Sequence, residues 1–95
     1  MSSLTFHTNS KTSSSISANG GKQWVDIARP AIPSGETIFF ASILSAGGSV
    51  DTSGILVGSA GNVGSPTNVS VNVINYASVS QTATIIAAWI GYKKS

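Results

Sequence analysis

The chain has 95 residues, enough for one domain, and no cysteine, so neither a disulfide nor a thiolate metal site supports it. Only 8% of its residues are charged, against about 25% in ordinary globular chains. The net charge of +2 comes from Lys11, Lys22, Arg29, Lys93 and Lys94, which form no basic stripe with interleaved aromatics, and this argues against nucleic-acid binding.

Low charge with a mean hydropathy of +0.25 is the opposite of a disorder signature. A nearly neutral, apolar chain of this size tends to associate, which predicts burial between subunits. The opening MSSLTFHTNSKTSSS lacks the apolar core of a secretory leader. The longest apolar run, Ile85 to Ile90, falls far short of the ~20 residues of a membrane-spanning helix, so no membrane insertion is expected.

No stretch holds a helical apolar period, and β-branched residues and turn formers dominate. In chain order, Ser3 to Thr8 alternates Leu4 and Phe6 with Thr5 and His7. The polar stretch to Ser15 follows, and residues 1–21 read as a Ser/Thr-rich edge strand or arm ahead of a sandwich domain over 22–95. Lys22 to Arg29 sets Val25 and Ile27 against Trp24, Asp26 and Ala28. Pro30 and Pro33 exclude a central strand, and Ser34-Gly35 reads as a turn.

Thr37 to Leu44 is strongly apolar, with Ile38, Phe40 and Ser42 on one face and Phe39, Ala41 and Ile43 on the other. After a Gly/Ser loop with Asp51, Ile55 to Val57 is a short strand, followed by a flexible stretch to Pro66. Thr67 to Tyr76 alternates Val69, Val71 and Val73 with Asn68, Ser70 and Asn72. Tyr76-Ala77-Ser78 reads as a hairpin connection to the last strand, Ser80 to Tyr92. Short strands divided by turn residues predict a small antiparallel β-sandwich.

Two strands break the inside-outside alternation of half-exposed sheets. Thr37–Leu44 and Ile85–Ile90 are apolar on both faces. The expectation is a shared face that packs on another subunit, with Ile38, Phe40, Ile86, Trp89 and Ile90 in the core or at that interface; two central strands of one closed sandwich are the alternative.

Little of the chain can do chemistry. The acids are Asp26, Glu36 and Asp51 and the one histidine is His7, with no HExxH, GxSxG or P-loop pattern, so no catalytic residue is assigned. One His, three acids and no Cys do not make a zinc set in one chain, and no metal or cofactor is expected. The aromatics remain. Trp24 beside Asp26, next to the Gly20-Gly21 turn, has the flat plate and polar edge that neutral sugars need. Trp24, Asp26, Asp51 and Asn62 are the candidate ligand residues, with packing in the core as the alternative role for the tryptophan.

The second half carries a pattern. A turn at Ile32-Pro33-Ser34-Gly35, an apolar strand and a Gly-rich loop precede NVSVNVINYASVSQTATIIAAWIGYKKS. Val69, Val71, Val73 and Asn75, then Trp89, Ile90, Gly91 and Tyr92, resemble the closing strands of phage tail-fibre and receptor-binding tip domains, an ending shared with H-type lectins. The resemblance spans roughly Ile32 to Lys94. It implies a trimeric, non-catalytic virion module that attaches to host-surface carbohydrate or protein and joins other virion proteins. The near absence of an N-terminal shaft departs from that pattern. It keeps open a structural virion protein without ligand (decoration, head-fibre or baseplate component), or a stand-alone lectin.

Overall fold

The computed structural model describes residues 2–50, 54–61 and 68–94. Among them there is no α-helix. Six strands form: β1 (Ser2–Thr12), β2 (Gly21–Ile27), β3 (Glu36–Gly48), β4 (Ile55–Gly61), β5 (Val69–Asn75) and β6 (Ala83–Lys94). They make two three-stranded antiparallel sheets, ordered β1-β6-β3 and β2-β5-β4. The chain changes sheet at every connection except that between β4 and β5. β1 thereby meets β6 and β2 meets β5, the wrapping order of a small jelly roll. The connection expected as a hairpin at Tyr76-Ala77-Ser78 is instead a crossover, because β5 and β6 belong to different sheets.

The core lies between the sheets. Ile85, Ala87 and Trp89 on β6 meet Val69, Val71 and Val73 on β5, with Val25, Ile27, Ile38 and Ala41 around them. The period-2 pattern of β5 and β6 puts these side chains inward, as their alternation predicts.

β3 does not alternate strictly. Its pairing with β6 shifts between Ile38 and Phe40 and again between Ile43 and Ser45, so Phe39 and Leu44 are extra residues at β-bulges. The inward set becomes Ile38, Ala41, Ile43 and Ala46. Ile38 and Phe40 were expected on one face. The bulge at Phe39 separates them, and Ile38 is buried while Phe40 is exposed.

β1 lies along β6 as an edge strand, and it runs four residues past the apolar alternation at Leu4 and Phe6. Asn9 Nδ2 donates to the carbonyl of Ala28 just beyond β2, at 2.9 Å. The seven-residue β2 thus ends level with the middle of the longer β1, and the first sheet extends past it toward Lys94.

The other end is closed by one side chain. Asn75 is fully buried at the end of β5. Its amide donates to the carbonyls of Ile16 (3.0 Å) and Val79 (2.9 Å). Its Oδ1 accepts from the Ala77 amide (3.0 Å) and from Gln81 Nε2 (2.8 Å). Gln81 in turn forms a two-way backbone bridge with Ile16. Two connecting segments, β1–β2 and β5–β6, are therefore satisfied by one amide, which meets the demand that buried polar groups be paired.

Gly35 and Gly91 are each required by geometry. Gly35, at φ 89°, follows Ser34 in a turn closed by Glu36 N donating to Pro33 O, a position that favours glycine. Gly91 faces inward on β6, where a Cβ would stand 2.2 Å from the backbone oxygen of Thr37.

Asn75→Ala is expected to lower stability by about 3 kcal/mol, since several buried groups lose their partner at ~1–3 kcal/mol each. Gly91→Ala should cost about 1–3 kcal/mol through forced separation of β3 from β6. Urea unfolding followed by tryptophan fluorescence checks both; an unchanged midpoint in either variant contradicts the corresponding contact.

Candidate functional site

The outer face of the second sheet carries the candidate ligand residues that the structure describes. Alternation along β2 turns Val25 and Ile27 into the core and leaves Trp24 and Asp26 outside. Trp24 is 58% exposed, so its bulk is not spent on the core. The β2–β5 register sets Asn72 opposite Trp24 and Ser70 opposite Asp26. The Ser70 hydroxyl donates to the Asp26 carboxylate. The result is an indole plate flanked by a carboxylate, a hydroxyl and an amide on the outer sheet surface. Asp51 and Asn62, the other two candidates, lie outside the described residues.

Ser70 and Asn72 were legible as the polar side of β5 but not as neighbours of Trp24. Only the cross-strand register brings them there.

Of the five residues assigned to core or interface, Ile38 and Trp89 are in the core. Phe40, Ile86 and Ile90 lie on the outer face of the first sheet, partly or largely exposed. That face also bears Leu4, Phe6, Phe39 and Tyr92, with the rings of Phe39 and Tyr92 6.3 Å apart.

His7 and Glu36 meet on the inner side of the first sheet. They reach across β6, and His7 Nε2 donates to Glu36 Oε2 at 2.6 Å. This contact ties the two edge strands together. Asp26 sits on the other sheet and faces away, so the two described carboxylates do not share a cleft of the kind a glycosidase pair needs. Among the described residues no group of three or more His, Cys, Asp or Glu side chains gathers as a metal would require. Among the described residues no helix is long and apolar enough to cross a membrane.

Comparison with protein-family models, curated proteins and solved structures finds no match to this chain.

The two tryptophans should respond differently to truncation. Trp24→Ala should change stability by about 1 kcal/mol or less, as for an exposed site, whereas Trp89→Ala should cost ~3–5 kcal/mol. Thermal and urea unfolding of the two variants checks this. A loss of several kcal/mol at Trp24 would return that side chain to a packing role.

Proposed function

We propose that this chain is a non-catalytic adhesion subunit of a virion, similar to the tip domains of phage tail fibres, that assembles as a symmetric oligomer. It presents the Trp24 face of its second sheet to carbohydrate or protein on a host cell surface. The observation that carries this reading is the exposure of Trp24 beside Asp26, with Asn72 opposite it across the β2–β5 pair. An indole face packs on the C–H side of a sugar ring while adjacent amide and carboxylate groups bond its hydroxyls. Asp26 keeps accepting capacity beyond the Ser70 bond, since a carboxylate offers about four lone-pair sites. The site uses no cofactor, and the reading involves neither nucleic acid nor membrane insertion.

A second reading is favoured by a separate observation, the exposed apolar outer face of the first sheet. In it the chain is a structural virion protein that joins other subunits, as decoration, head-fibre or baseplate component, and binds no ligand. The readings separate by experiment. In the first, labelled protein binds host cells or a glycan array, and Trp24→Ala reduces that binding at least tenfold while the oligomer mass is unchanged. Retention of full binding by Trp24→Ala removes the site assignment. Capture by purified virion components, without any cell or glycan binding by the native chain, favours the structural reading.

A further inference from the structure

We infer that the outer face of the first sheet is a self-association face, on which a second copy of this chain packs sheet against sheet with its strands running in the same direction. This rests on the reading of the chain as an assembling subunit and adds which surface does it and in what orientation.

The first support is the way β1 faces. Its register with β6 turns Thr5, His7 and Asn9 toward the inner side and Leu4 and Phe6 outward. Leu4 is 78% and Phe6 59% exposed, while Thr5 Oγ1 is buried without a hydrogen-bond partner. A slip of one residue would exchange the two sets. A strand that keeps its apolar side out and a hydroxyl unsatisfied within is placed for a second apolar contact outside the monomer. β3 repeats the feature, since its two bulges put the extra residues Phe39 and Leu44 in exposed positions.

The second support is area. Leu4, Phe6, Phe39, Phe40, Leu44 and Tyr92 are each about 40–80% exposed. Large side chains at such exposure each leave on the order of 100 Å² bare, so together they approach the ~800 Å² per partner of a standard interface. From Thr84 to Tyr92 and along the paired positions of β1 and β3 this face has no charged side chain. Nothing on it asks for a partner of opposite charge, and a copy of the same face meets its chemistry.

The third support fixes direction. Across the sheet, Phe6, Ile90 and Phe40 form one row, and Ser10, Ile86 and Ser45 form another toward the closed end. With strands in the same direction about an axis along β6, each row meets its own copy. With strands opposed about the Ala88 row, Phe6 and Phe40 would meet the serines. Overlap only at the Tyr92 end would leave Leu44 bare.

The absence of cysteine makes the test direct. Single variants Thr84→Cys and Ile90→Cys of the full chain are treated with a short bis-maleimide, since sheets packed face to face lie about 10 Å apart. Each variant is expected to cross-link to itself. Mixed pairs should not form, because six residues separate the positions by ~20 Å along the strand. Light scattering should give an oligomer for the native chain and a monomer for Phe6→Ser, with unchanged circular dichroism. If Phe6→Ser fails to fold, Leu4→Ser at the most exposed position serves instead.

A monomeric native chain would overturn this inference and the assembly reading together. An oligomer untouched by a correctly folded Phe6→Ser or Leu4→Ser would overturn the face alone. Cross-links formed only between Thr84→Cys and Ile90→Cys would overturn the direction alone. Glycan or cell binding by Trp24 is read separately and is not moved by any of these outcomes.

Discussion

β6 is the strand on which the architecture depends. It is paired along nearly its whole length on both sides, with β1 from Ser2–Lys94 to Thr12–Thr84 and with β3 from Glu36–Lys93 to Gly48–Ala83. A strand hydrogen-bonded on both edges has only its two faces left for side-chain packing. Here one face, through Ile85, Ala87 and Trp89, supplies the intersheet core. The other carries Ile86, Ala88 and Ile90, and among the described residues no second layer lies over it. A domain of this size has three strands to spare for cover, and they cover one side only. The apolar outer face follows from that arithmetic of layers.

The two outer faces then diverge in chemistry. From Thr84 to Tyr92 the first sheet has an uncharged outer surface that bears Phe, Leu and Ile side chains. The second has a tryptophan among a carboxylate, a hydroxyl and an amide. Because the two faces point away from each other, occupancy of one leaves the other open. An assembling subunit that also contacts something outside the assembly needs this separation.

The ends of the molecule are held by different means. At the closed end a neutral side chain, Asn75, bonds the β1–β2 and β5–β6 connections at once. At the other end the first sheet extends beyond β2. There the edge strands are tied across β6 by His7 and Glu36, and β3 sits against the bare backbone of Gly91.

The all-β class was legible in the sequence, because β-branched alternation and turn residues report local geometry directly. The inward rows of β2, β5 and β6 were legible for the same reason: each depends only on a period of two within one strand. The two-sided apolar character of the segments near residues 37–44 and 85–90 was legible too. It is a property of composition, and it carried the expectation of an extra buried face. What only the tertiary structure decided is everything that depends on register between strands distant in sequence. The bulge at Phe39, which parts Ile38 from Phe40, the outward turn of Leu4 and Phe6, and the meeting of His7 with Glu36 are of this kind. So are the placing of Asn72 beside Trp24 and the gathering of two connections onto Asn75. A strand's own residues say which of them share a face; which face is inside, and which neighbours lie across from it, is set by hydrogen-bonded partners that the local sequence does not contain.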